Sequence, residues 1–224
     1  MPRPAATLPS DRRRRRAALP ALLAALALVG AAQAEPLPAL GELPERLRDT
    51  GLYAGRTGTT IRPGLIAFAP QYTLWTDGAT KRRWLYLPPG TAIDATDPQA
   101  WQFPPGTRLW KQFSFGGRPV ETRFIERRAD GQWRFASYAW AADGSGAHLA
   151  PAEGLAVRWD AAAAAVHRIP SRTDCRACHD SAPVPVLGAS ALQLSPDGDP
   201  LAPHRDRQAG DLDPADLVAR GLVV

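Results

Sequence analysis

The chain contains two cysteines, which are separated by two residues and followed directly by a histidine in the motif C-R-A-C-H at residues 175–179. Two thiols about one helical turn apart can add to the two vinyl groups of a haem, and the imidazole that follows can bind its iron. The motif therefore predicts one covalently attached haem c. Cys175 and Cys178 would be the attachment sites, and His179 would be the proximal iron ligand.

Three other kinds of site use closely spaced cysteines. A structural disulfide is possible in an oxidising compartment, but it does not need a histidine after the second cysteine. A thioredoxin-like redox site places its cysteine pair at the start of a helix within a βαβ unit, whereas the sequence that precedes residues 175–179 has an antiparallel β pattern. A zinc site needs a fourth ligand and usually a second cysteine pair. The haem interpretation is therefore preferred.

The sixth ligand of the iron is harder to assign than the fifth. The only methionine is Met1, which would be lost with the N-terminal segment described below. The ligand is then a histidine, a lysine, another weak donor, water or nothing. The imidazoles outside the motif are those of His148, His167 and His204, and His148 lies in a glycine-rich loop where an exposed role is expected. We take His204 and His167 as the candidates, with a place in the core as the alternative for His167.

Residues 1–34 have the pattern of a cleavable signal peptide. Five consecutive arginines at 12–16 precede an apolar run at 17–30, and a small-residue A-x-A site follows at 32–34. The apolar run is shorter than the roughly 20 residues that a transmembrane helix needs. We predict cleavage before Glu35, export to the periplasm and no stable membrane insertion afterwards, with an uncleaved anchor as the alternative. Export agrees with the motif, because bacteria attach haem to cysteines outside the cytoplasm.

The basic charge of the whole chain belongs to this N-terminal segment. The first 34 residues hold six of the 27 basic residues and one of the 22 acidic residues, which leaves 21 of each in the mature chain. A mature net charge of zero gives no indication of binding to nucleic acid. We accordingly predict no nucleic-acid partner.

A β-like pattern begins near Gln71. The pairs Gly116-Gly117 and Asp130-Gly131 are typical of tight hairpin turns and predict that three consecutive strands form a meander. The predicted strands cover residues 81–87, 108–115, 119–128, 132–140, 155–160 and 164–169.

Helical segments are predicted on both sides of the β region. A short helix is expected within residues 43–52, and the last residues, 215–224, are expected to form a short helix or tail. Ser171 and Asp174 stand three positions apart ahead of the cysteines, a spacing typical of a capping box at a helix N-terminus. A short helix is therefore expected to carry the motif.

These patterns predict a mainly β fold. An antiparallel, meander- or sandwich-like domain is expected at residues 55–169, preceded by a Pro-rich segment at 35–54. A small helical or irregular segment at 170–224 is predicted to bind the haem. Because this segment is too small to enclose a haem alone, we expect aromatic side chains of the β domain to form one wall of the pocket.

Arginine-rich strand faces are a further feature of the β region, with Arg82, Arg83, Arg123, Arg127 and Arg128 as examples. Such faces can dock a protein partner or contact haem propionates. Solvated strand surface is the commoner role of charge runs.

The mature chain resembles a family of bacterial periplasmic proteins with a c-type cytochrome region. The matching stretches are LWTDGATKRRWLYLPPG at 74–90, FPPGTRLWKQF at 103–113, VETRFIERR at 120–128, HRIPSRTDCRACH at 167–179 and PVLGASALQLSPD at 185–197. The resemblance implies a β-rich N-terminal domain followed by a haem region, but no substrate. Similar proteins often continue into a second C-x-x-C-H segment. This sequence has one such motif, so we expect one haem rather than a two-haem relay.

Together, these observations predict a periplasmic protein that transfers single electrons through one haem, with redox proteins as partners. An electron carrier is expected rather than a catalyst. The alternative from another class is a haem enzyme or a gas or redox sensor with an open sixth site. A non-haem thiol–disulfide protein is the third interpretation.

Overall fold

The computed structural model describes residue 1 and residues 34–55, 59–74, 76–160, 166–202 and 206–224. Within these ranges the protein is mainly antiparallel β with two short α-helices, which confirms the predicted fold class. The predicted signal peptide lies almost wholly outside the described residues. Among the described residues, no helix has the length and apolar character needed to cross a membrane.

Eight strands form two sheets in the described part of the chain. The larger sheet contains β1 (Ile66–Ala67), β2 (Thr80–Tyr86), β3 (Arg108–Phe115), β4 (Arg118–Arg127), β5 (Trp133–Trp140) and β6 (Ala147–Leu149), and the smaller sheet pairs β7 (Leu155–Val157) with β8 (His167–Ile169). The helical elements are a 3₁₀ helix at Leu47–Thr50, α1 at Arg172–His179 and α2 at Pro214–Ala219.

The larger sheet is a meander in which each strand pairs antiparallel with the next one along the chain. The predicted hairpin turns join β3 to β4 and β4 to β5. Gly116 and Gly117 both have positive φ angles, of 54° and 81°, and Gly131 has a φ of 80°. Positive φ angles at these turns favour glycine, which explains why the local sequence predicts the hairpins correctly.

Three elements differ from the sequence prediction. Strand β1 was not predicted, because it has only two residues and lies before Gln71, where the β pattern begins. The helix expected within 43–52 is reduced to the 3₁₀ helix, which ends at Gly51 with a φ of 98°. Strand β6 was not predicted, since only three residues follow the turn at Gly144 and Gly146 before the chain leaves the sheet. The two predicted strands at 155–160 and 164–169 are present as the shorter β7 and β8, and residues 161–165 lie outside the described ranges.

One face of the larger sheet packs against the segment that precedes it. Trp84, Trp110, Phe124 and Ala136 occupy successive positions across β2 to β5 and are all buried. The N-terminal segment covers them with a cluster that includes Leu47, Leu52 and Tyr53. The indole Nε1 of Trp110 donates a 2.8 Å hydrogen bond to the hydroxyl of Thr50 at the end of the 3₁₀ helix.

The opposite face packs against the C-terminal part of the chain. Leu85 and Leu109 of this face form one core with Val186, Leu217 and Leu222. Burying each such side chain contributes about 1.5–3 kcal/mol. The segment predicted to bind the haem therefore shares a hydrophobic core with the β region. The packing of this core fixes the position of the segment on the sheet.

Candidate functional site

Helix α1 begins at a capping box, as the sequence predicts. The backbone N–H of Asp174 donates to the hydroxyl of Ser171 at 3.0 Å, and the Asp174 carboxylate accepts from the backbone N–H of Ser171 at 3.0 Å. Such a cap stabilises a helix by about 1 kcal/mol. The helix ends at His179, and the N–H of Asp180 donates to the carbonyl of Arg176 at 2.8 Å.

The start of α1 is held against the loop before β7. The backbone N–H of Arg172 donates to the carbonyl of Ala152 at 2.8 Å. Gly154, which has a φ of 81°, packs closely against the backbone that leads into α1. A Cβ added to Gly154 would lie 2.6 Å from the carbonyl oxygen of Ile169 and 2.8 Å from the backbone nitrogen of Ser171. Only glycine fits this close approach, so the position of the helix depends on Gly154.

All three side chains of the motif line one cavity of about 490 Å³. Its volume lies in the range of small-molecule and cofactor sites. Helix α1 packs against β5, and the walls of the cavity are mostly apolar. The apolar residues that the β region contributes include Phe68, Leu109, Ile125 and Phe135, and the segment after α1 contributes Val186 and Leu187.

His179 has one ring nitrogen occupied and the other available. Its Nδ1 lies 2.5 Å from the carbonyl oxygen of Pro185. A carbonyl only accepts hydrogen bonds, so Nδ1 carries the proton and donates it, which leaves the lone pair of the neutral ring on Nε2. Burial lowers the pKa of His179 and favours this neutral form. The ring also packs against Phe135, with 5.0 Å between the ring centroids.

The two cysteines are free thiols on the same side of α1. Cys175 is partly buried, and burial raises the pKa of its thiol. Cys178 is exposed. The pair therefore extends from the interior of the cavity to its rim.

Three cations face the same cavity from adjacent strands. Arg83, Lys111 and Arg123 are consecutive partners in the register of β2, β3 and β4. Arg83 is 3.5 Å from Asp206, and Nε of Arg123 is 2.8 Å from Glu121. Two of the arginines that the sequence singled out, Arg83 and Arg123, thus lie at the site rather than on solvated surface.

The candidate distal ligand His167 does not line this cavity. Its ring is fully buried, with Nε2 2.8 Å from the carboxylate of Glu121. The rings of Phe113 and Phe115 lie 5.7 and 5.6 Å from it. These contacts favour the core position that the sequence left open. The other candidate, His204, lies outside the described residues.

The donor set and the cavity fit a covalently attached haem. Haem c needs two thiols at this spacing, an imidazole with a free Nε2 and an apolar slot, and the residues around α1 supply each of them. The hydrogen bond of His179 to a backbone carbonyl is typical of a metal-bound histidine, because it fixes the tautomer and the ring orientation. In the described ranges, no group of three or more His, Cys, Asp or Glu side chains is arranged to hold a bare metal ion.

Three site residues were not found by sequence reasoning. Pro185 contacts His179 through its backbone carbonyl, which every residue has, so its side chain gives no sign of this role. Phe135 and Lys111 were assigned to strands, but their direction toward α1 depends on how the C-terminal segment packs. One signal was available for Lys111, since it is one of only two lysines in the chain.

Comparison with known proteins gives no match: no family model, no curated protein and no solved structure matches the chain. The resemblance to periplasmic proteins with a c-type cytochrome region therefore stays a prediction from the sequence.

Proposed function

We propose that this protein is a periplasmic c-type cytochrome that carries one covalent haem and transfers single electrons to and from redox proteins. The observation that carries the proposal is that Cys175, Cys178 and His179 line one apolar cavity while Pro185 fixes the tautomer of the imidazole. The predicted signal peptide supports export to the compartment where such haems are attached.

Each residue of the site has a defined task in this proposal. When bound, the haem supplies one-electron chemistry by cycling its iron between the ferric and ferrous states. Cys175 and Cys178 would hold the group by thioether bonds, and Nε2 of His179 would bind its iron. The apolar walls limit the access of water. Arg83 and Arg123 provide positive charge for the two propionates.

The exposed thiol supports exchange of electrons with a protein partner. Cys178 lies at the surface, so an edge of a haem attached there would be close to solvent. A partner that docks over this rim could exchange an electron with the haem edge directly, so the electron would not have to cross the protein core. Electron transfer is therefore compatible with a site whose other walls are buried.

A haem enzyme or gas sensor with an open sixth site is the second candidate. The observation that favours it is the environment of His167, whose Nε2 is engaged by Glu121. Among the residues that the structure describes, His179 is the one imidazole that lines the cavity. Such a protein would bind an external ligand without displacing a side chain.

Stopped-flow spectroscopy of the haem-loaded protein tests the proposed function. We expect reversible reduction by one electron per chain, rapid exchange with a small c-type cytochrome, and carbon monoxide binding that is slow or absent. Rapid carbon monoxide binding by the unmodified ferrous protein, together with slow exchange of electrons, would overturn the carrier proposal in favour of the open site.

A further inference from the structure

Lys111 is a basic side chain inside the cavity that has no acidic partner among the described residues. It lies at the middle of β3, in the cavity lined by the C-x-x-C-H motif. No hydrogen bond or ion pair joins its Nζ to any described residue, and its nearest aromatic contact is the Phe113 ring, with Nζ 4.9 Å from the centroid. Its amine is therefore available to a group that enters the cavity.

The neighbours of Lys111 disfavour its charged form. On one side Arg83 is paired with Asp206, and on the other Arg123 is paired with Glu121, so both nearby acids are already engaged. Burial, and after it the positive charges of Arg83 and Arg123, lower the pKa of Lys111 to about 7. These surroundings favour the uncharged amine, which has a lone pair, over the ammonium form.

The choice of lysine at this position is chemically specific. The chain contains 25 arginines and two lysines, and arginines occupy the neighbouring positions on β2 and β4. A guanidinium keeps its proton in proteins and cannot bind a metal, whereas an amine can lose its proton and do so. If position 111 had to supply positive charge alone, arginine would serve there as it does at positions 83 and 123.

Other donors for a sixth ligand are already accounted for. The sole methionine is Met1, and His167 is held by Glu121 outside the cavity. The hydroxyl of Tyr72, which lines the cavity, is bonded to Asp199 at 3.1 Å. Of the described cavity-lining side chains outside the motif, Lys111 is the one that can present a basic nitrogen to iron.

We propose that Nζ of Lys111 binds the haem iron as its sixth ligand, with His179 as the fifth. The amine releases its proton to solvent and donates its lone pair to the metal. This inference rests on the proposed function, because it needs the haem to be attached. An iron with both axial positions filled by side chains also favours the electron carrier over the enzyme or sensor with an open sixth site.

The decisive variant is Lys111→Arg in the haem-loaded full chain, compared by ferric absorption and electron paramagnetic resonance spectra. Arginine keeps the positive charge, so a purely electrostatic role would leave the spectra unchanged, whereas loss of a ligand would make the haem high-spin. We expect a low-spin wild type, a high-spin Lys111→Arg protein and carbon monoxide binding at least tenfold faster in the variant. The matched control, Lys81→Arg, changes the other lysine and should keep the wild-type spectra.

A second measurement does not depend on the folding of a variant at position 111. In protein labelled with ¹⁵N-lysine, a ligating amine gives a strong ¹⁵N hyperfine coupling to the ferric iron, and the Lys81→Arg background leaves Lys111 as the single labelled site. Absence of that coupling, or a Lys111→Arg protein that stays low-spin, overturns the inference while the attached haem still supports the proposed function. Failure of the wild type to retain haem under denaturing conditions overturns both.

Discussion

The carbonyl oxygen of Pro185 lies 2.5 Å from Nδ1 of His179, so the backbone directly after α1 orients the imidazole that the motif supplies. The proline ring restricts φ at position 185 and so limits the movement of this segment. A metal-binding histidine depends on such a partner for its tautomer and orientation. The orientation of the proposed iron ligand therefore depends on two consecutive segments, the end of the helix and the turn that follows.

The first prediction concerns this turn. We expect Pro185→Gly to keep the covalent haem, because both thiols remain, but to loosen the orientation of His179. The carbonyl that accepts from His179 remains in this variant, so metal binding should weaken by less than the roughly 10–100-fold that is typical when such a supporting contact is lost. The ferric spectrum should then show a mixture of spin states. Pro183→Gly, at an exposed position of the same segment, is the control. Identical spectra for the two variants would contradict the role of Pro185.

The second prediction concerns His167. We expect His167→Ala to lower the free energy of unfolding by about 3 kcal/mol, because it leaves the buried carboxylate of Glu121 without one of its partners. The spin state of the haem should stay as in the wild type, and so should that of His204→Ala if Lys111 is the sixth ligand. Denaturant unfolding and the ferric spectrum measure the two effects. A high-spin His167→Ala protein would restore His167 as the distal ligand.

The third prediction is a dependence of stability on pH that arises at Glu121. Burial acts to raise the pKa of Glu121, but the hydrogen bond with His167 and the charge and hydrogen bond of Arg123 outweigh it, so the pKa lies below its ordinary value of 4.5. The unfolded chain therefore binds more protons than the folded protein near this pH, and stability rises with pH there. The contribution is complete above about pH 4.5 and is lost as the pH falls through the lower pKa of the folded state.

Denaturant unfolding between pH 3 and 7 measures this effect. We expect Glu121→Gln to be less stable than the wild type by about 3 kcal/mol at pH 7 and to lose less stability on acidification. Glu153→Gln, which changes an exposed carboxylate, should keep the wild-type profile. An unchanged acid slope in Glu121→Gln would show that the group responsible lies elsewhere.

The sequence predicts best those parts of the fold that depend on residues close together in the chain. The hairpins at Gly116-Gly117 and Asp130-Gly131 and the capping box of Ser171 and Asp174 are set by neighbouring residues, and the structure contains all of them. Strands β1 and β6 were missed because their two and three residues are too few to show a period.

The candidate site was only partly predictable, for a physical reason. The C-x-x-C-H motif is continuous in the sequence, but the cavity that it faces is built from residues brought together by long-range packing. His167 shows the difference: its strand pattern allowed either a ligand or a core residue, and its contact with Glu121, which lies 46 positions earlier, favours the core position. The direction of Lys111 toward the cavity likewise depends on which face of the sheet the C-terminal segment covers.

The fourth prediction tests how α1 is positioned. In Gly154→Ala the new Cβ would meet the carbonyl of Ile169 at 2.6 Å, and the residue would also keep an unfavourable positive φ. We expect a loss of stability together with a changed haem spectrum, because the helix start must move. The control is Gly144→Ala, which has a positive φ of 72° but no atom within 4 Å of the added Cβ. It should show only the strain, about 1–3 kcal/mol, with an unchanged spectrum.

Covalent attachment of one haem at Cys175 and Cys178 is the central claim, and the mass of the denatured protein tests it most directly. The chain is produced with its predicted signal in bacteria that express a haem-attachment system. We predict a mass equal to that of the polypeptide plus one haem, and a haem stain that survives denaturing electrophoresis. The double variant Cys175→Ala/Cys178→Ala should lose both signals, whereas Thr173→Ala, on the exposed side of α1, should keep them. A colourless wild type with the mass of the polypeptide alone, or haem that stays covalently bound to the denatured double variant, would contradict the claim.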